Sequence, residues 1–68
     1  MKLSARNQLS GTVKSVSLGN VMAEVVVDVA GAEVVSVITR HSAESLKLKV
    51  GVPITVIIKA TEVMLAAD

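Results

Sequence analysis

Cysteine, phenylalanine, tryptophan and tyrosine are absent from this 68-residue chain, and proline and histidine occur once each. Without cysteine there is no disulfide, no thiolate nucleophile and no thiolate metal site. A single histidine and no cluster of ligating carboxylates make a bare metal cation an unexpected ligand. Without aromatics the chain has no platform on which the bases of single-stranded nucleic acid stack. Long hydrophobic runs are also missing. The apolar stretches fall far short of the roughly 20 residues of a membrane span, and no basic segment followed by an apolar run marks a secretory signal. The expected location is therefore cytoplasmic, with no membrane partner. Charge of either sign is scarce: seven Lys and Arg against six Asp and Glu leave a formal +1, too little to expect a polyanion such as nucleic acid as partner.

What remains is aliphatic. Hydrophobic residues make up 51% of the chain, more than one small core can hide. A domain of this size buries only about 60% of the surface its unfolded chain exposes, and small folds compensate with disulfides, metals or oligomerisation. The first two being unavailable, self-association is expected of a single domain spanning residues 1–68.

Val21, Ala23, Val25, Val27 and Val29 alternate with Met22, Glu24, Val26 and Asp28, the period of a strand with one dry face. Ala30-Gly31-Ala32 reads as a tight turn. Glu33 to Thr39 forms the next strand, apolar on both faces, which makes it either central or pressed against another subunit. Upstream, Gly11 to Leu18 is a strand whose register slips near Lys14, as a bulge would cause. Gly19-Asn20 turns it into the following strand. Ser42 is expected as the N-cap of a short helix ending at Gly51. Pro53 opens a strand over Ile54 to Ala60, and Val63-Met64-Leu65 supplies a short last one. The order β-β-β-α-β-β predicts an all-β, OB-like barrel of five strands, with one short helix between the third and fourth.

Three segments gather hydroxyls and cations with few carboxylates: Ser4-Ala5-Arg6-Asn7-Gln8-Leu9, Ile38 to Leu46, and Ile58-Lys59-Ala60-Thr61-Glu62-Val63. A tetrahedral dianion such as molybdate, tungstate or sulfate carries no proton at neutral pH, so it needs donors only. Thr39 and Ser42 hydroxyls, backbone amides at the helix start and Lys59 form such a set. Glu44 and Glu62 are expected to point away from it. Plainer readings compete at each position. Ser42 serves as a simple cap, Thr39 as a strand end, Lys59 as a solvated edge charge, and Arg6 as an ion-pair partner of Glu33 or Glu62. His41 reads as a surface loop residue.

These segments resemble the molybdate-binding Mop domain, or molbindin, family, over essentially the whole chain. Ser4 to Gly11 looks like its N-terminal motif; Thr39 to Leu46 and Ile58 to Met64 look like the other two. The resemblance implies an OB-like barrel strand-exchanged between subunits and, for free-standing single domains, a homohexamer arranged as a trimer of dimers. It further implies oxyanion sites at subunit interfaces: Ser4, Ala5, Arg6, Lys59 and Ala60 from one chain, and Thr39, Ser42 and Ala43 from a neighbour. Where the family's late motif often reads Lys-Ser, this chain has Lys59-Ala60, which leaves an amide without the hydroxyl. The expected function is reversible binding of molybdate, and of tungstate, for storage or homeostasis, with no cofactor. No nucleophile–base pair points to an enzyme. The alternative is a nucleic-acid-binding OB module, against which the missing aromatics and near-neutral charge both count.

Overall fold

The computed structural model describes residues 2–68. Four strands form one antiparallel sheet in the order β3-β2-β1-β4: β1 Asn7–Leu18, β2 Met22–Val29, β3 Ala32–Thr39 and β4 Pro53–Ile58. A six-residue helix α1, Arg40–Ser45, follows β3, and a single 3-10 turn, Ala60–Glu62, follows β4. Among the described residues no helix is long and apolar enough to cross a membrane.

β1 is the organising strand. Its first half, Asn7 to Thr12, pairs with β4, and its second half, Thr12 to Leu18, pairs with β2. The change of partner coincides with a bulge: Val13 faces Val27 and Ser15 faces Val26, so Lys14 is the extra residue, at the position where the sequence pattern slips. The Val13 carbonyl accepts from Gly51 N–H and its amide donates to Val52 O, both at 2.9 Å, so the bulge also anchors the segment that leads into β4. Gly11 sits where the strand closes on β2. A Cβ there would lie 2.7 Å from Asp28 O and 2.7 Å from Val27 Cγ1, which only glycine avoids.

The β2–β3 connection is a two-residue turn. Ala30 and Gly31 have φ of 51° and 88°, the signs that match the twist of a hairpin, and Gly31 N–H donates to Asp28 Oδ1 at 3.0 Å. On β2, Ala23, Val25 and Val27 are buried as the alternation predicts. Together with Val13 and Ala43 they are the buried core, and Val16, Val29, Ile38, Leu48, Val52, Ile54 and Val56 pack against Val13, Val25 and Val27. Val21, expected on the dry face, instead precedes the strand and is 70% exposed.

Several expectations need correction. The first strand begins at Asn7, four residues earlier than the apolar pattern indicates, because ladder bonds to β4 extend it through polar residues. Of the two readings of β3, the central one is excluded, since β3 is an edge strand; Val35 and Val37 on its outer face are 60% and 61% exposed, which leaves the reading that another subunit covers it. β4 stops at Ile58 instead of Ala60. Residues 63–65 pair with no strand, so the sheet is open with four strands and not a closed five-stranded barrel. Met64 and Leu65 are each 93% exposed, which removes the burial that would hold a short apolar segment in a sheet.

Candidate functional site

Two hollows carry six of the eight predicted residues, all but Ser42 and Ala43, and the register sets them at opposite ends of β1. The first forms where Asn7 meets Ile58. Asn7 Nδ2 donates to Ile58 O at 3.2 Å, Gln8 Nε2 donates to Ala5 O at 2.8 Å, and Gln8 N–H donates to Arg6 O at 3.1 Å. These three bonds fold the segment preceding β1 into a turn held beside the end of β4. Immediately after β4, Lys59 caps the 3-10 turn, its carbonyl accepting from Glu62 N–H at 2.9 Å. The outcome is a hollow lined by Ser4, Ala5 and Arg6 on one side and Lys59, Ala60 and Thr61 on the other, with Asn7 between. All five residues expected from one chain are therefore together. Two cations line this hollow and no carboxylate does; Glu62 is not on its wall, as expected.

The second hollow lies at the far end, where Thr39 closes β3 opposite Met22. Asn20, Val21, Thr39, Arg40, His41 and Glu44 line it. Here the helix cap differs from the sequence reading. Thr39, not Ser42, is the N-cap: its extended backbone (φ −70°, ψ 149°) leads into the helix and its Oγ1 accepts from Ser42 N–H at 3.1 Å. The Thr39 hydroxyl in turn donates to Ser42 Oγ at 2.8 Å. Ser42 is half-buried and Ala43 belongs to the core, so neither lines the hollow directly. The Ser42 amide already has a partner within the chain, so it is not the free donor expected of a helix start. Glu44, expected to point away, lies on the wall. Its carboxylate is 3.7 Å from Arg40 Nε, one helical turn apart.

Arg6 pairs with neither Glu33 nor Glu62; among the described residues the ion pairs are Lys14–Glu33 and Arg40–Glu44. Hydrogen bonding to Glu33 and its charge raise the Lys14 pKa above its ordinary value. His41 is exposed on the rim of the second hollow. No group of three or more His, Asp or Glu among the described residues could hold a metal ion.

The twelve residues of β1 between the hollows correspond to roughly 35 Å of extended strand, close to the 37 Å long axis of the molecule. Thr39 and Lys59 therefore line different hollows of the chain, one at each end of β1. Sequence reasoning placed Asn7, Gln8 and Arg40 within the three segments and Asn20 in the turn before β2, but assigned none of them a role in shaping the hollows. A readable signal existed for Gln8, a long amide three residues after Ala5 and just ahead of an apolar strand. Asn20 owes its place to the Gly19-Asn20 turn, which the sequence showed as a turn and not as part of a site.

An open antiparallel sheet with one short helix, bearing a cationic hollow at one end and a hydroxyl-bearing hollow at the other, defines a small, mostly β ligand-binding domain. The chain belongs to the TOBE-domain family, which its residues 3–65 match. It is 48% identical to molybdenum-pterin-binding protein 3 of Clostridium pasteurianum over 68 residues, covering 98% of this chain and 100% of that one. Among solved structures it is similar to MopII of Clostridium pasteurianum in an apo form (TM-score 0.91, 43% identity, 97% of this chain and 100% of that one). It is also similar to a molybdate-binding protein of Sporomusa ovata (TM-score 0.93, 43% identity, 98% and 100%). These relatives bear out the Mop resemblance and the OB-like character of the fold, and they are named for binding, not for a reaction.

Proposed function

We propose that this chain binds molybdate reversibly and without catalysis, at sites formed between copies of itself. The observation that carries the reading is the division of the donor set: Ser4, Ala5, Arg6, Lys59 and Ala60 gather at one end of β1 and Thr39 at the other. Each hollow is open on the single chain, and apposing the first of one copy to the second of another would close both. The combined set contributes two cations, hydroxyls and amides, which is the chemistry a proton-free dianion needs. In this reading Ser42 acts by holding the Thr39 hydroxyl, and Ala43 by packing α1 into the core beneath it. The similarity to proteins named for molybdenum-pterin and molybdate binding supports the choice of ion. Tungstate, with the same charge and tetrahedral shape, belongs with it. A storage or homeostatic role in the cytoplasm fits a small binding domain; a solved protein named as cytoplasmic and molybdate-binding, ModG, is similar over 88% of this chain, which spans 43% of that longer one (TM-score 0.83, 43% identity).

Assembly follows from the same reading. Residues 1–68 act as one Mop domain in a homohexamer, a trimer of dimers. The unpaired edges of β3 and β4, with the exposed Val63-Met64-Leu65 segment, support strand exchange as the way in which copies complete one another's sheets. Native mass spectrometry with added molybdate tests the whole proposal. It should give a hexamer carrying several oxyanions; a monomer, or an assembly that takes up none, overturns it.

A further inference from the structure

A carboxylate on the wall of a hollow that receives a dianion works against binding, and Glu44 is in that position beside Thr39. Arg40 faces the same hollow and is engaged three ways. Its Nε lies 3.7 Å from Glu44 Oε2, its Nη1 donates to Gly19 O at 3.2 Å, and its backbone N–H donates to Val21 O at 2.7 Å. The side chains of the pair are 42% and 59% exposed, and a solvated pair one helical turn apart contributes little to folding. Its placement on the hollow is therefore not explained by stability.

We propose that the Arg40–Glu44 pair sets the affinity of the oxyanion site. Glu44 weakens the hold on the dianion by repulsion, while Arg40 offsets part of that repulsion and fixes the Gly19–Val21 turn that forms the opposite wall. The site thereby releases its ligand where an all-cation site would retain it. This rests on the oxyanion-binding reading above and assigns a specific pair to its tuning. Neutralising Glu44 leaves Arg40 free to face the anion, so the gain combines a lost repulsion with a released attraction.

Calorimetric titration of molybdate into the assembled wild type and Glu44→Gln, each in low and high potassium chloride, tests the proposal. A single charge at this solvated range changes the affinity for a dianion by about fivefold. The variant should bind about fivefold more tightly in dilute salt. The ratio should fall toward unity near 1 M salt, where the screening length is about 3 Å. Glu44→Ala, which suits an exposed helical position, should show the same gain and guards against a defect peculiar to Gln. Unchanged or weaker binding by both variants overturns the proposal, as does a gain that persists undiminished in high salt, since that assigns the effect to packing. A wild type that binds no molybdate at all overturns the underlying functional reading instead, and the proposal falls with it.

Discussion

Lys59 and Thr39 are the residues at which the functional reading is most exposed to test. Lys59 sits just beyond β4, with its backbone fixed by the 3-10 turn and its side chain in solvent on the first hollow. No ion pair within the chain employs it among the described residues. Lys59→Ala should therefore leave the assembly intact while lowering molybdate affinity about tenfold or more, because a charge-assisted hydrogen bond contributes about 1.5–3 kcal/mol. Unchanged affinity by calorimetry would return Lys59 to the role of an edge charge. Thr39 needs more care, since its hydroxyl caps α1 as well as facing the hollow. Thr39→Val should both weaken binding and cost about 1 kcal/mol of stability through the lost cap. Thr39→Ser keeps the oxygen and should preserve both. The chemical character of the first hollow was legible in the sequence because its cations and amides lie in two short motifs. The cap was not, because Thr39 and Ser42 are both good N-cap residues three positions apart, and only the point at which β3 releases the chain decides between them.

At the scale of elements, α1 ends in an arrangement that favours glycine and lacks it. Leu46 is the C-cap and Lys47 follows with φ of 55°. Lys47 N–H donates to Glu44 O at 3.0 Å and Leu48 N–H to Ala43 O at 3.1 Å, the bonding pattern of a Schellman ending. Lys47→Gly should raise stability by about 0.5–1 kcal/mol in urea unfolding, since a side chain at positive φ is strained. Lys14–Glu33 spans β1 and β3 at the bulge. Because its folded pKa is raised, the stability that Lys14 contributes is fully present below the ordinary value of 10.5 and is lost as pH rises through the higher folded value. Melts should therefore show a small alkaline decline above about pH 10.5 that Lys14→Met removes. The alternation on β2, the Lys14 bulge and the Ala30-Gly31 turn were readable because each rests on local chemistry. The beginning of β1 and the fate of residues 63–65 were not. One is set by pairing with a strand some fifty positions away, and the other by the absence of anything among the described residues to bury Met64 and Leu65.

Among the described residues only Val13, Ala23, Val25, Val27 and Ala43 are fully buried, while Val35, Val37, Met64 and Leu65 stand largely in water. A core this slight does not offset the chain entropy of 68 residues with room to spare, so the folded state and the assembled state should be one equilibrium. A ligand that bridges copies then stabilises the fold by mass action, by about 2.7 kcal/mol per site at a hundred times its dissociation constant. Thermal melts at fixed protein concentration and ionic strength should show molybdate and tungstate raising the midpoint most. Sulfate, with the same charge but shorter bonds to oxygen, should lie well behind, since donors set for a larger tetrahedron would be stretched. Phosphate should come last. It retains a proton near neutral pH and needs an acceptor, and the cationic hollow has no carboxylate on its wall to accept it. If all four anions raise the midpoint equally, the effect is screening of like charges by ionic strength, and the donors at the two ends of β1 do not form a selective site.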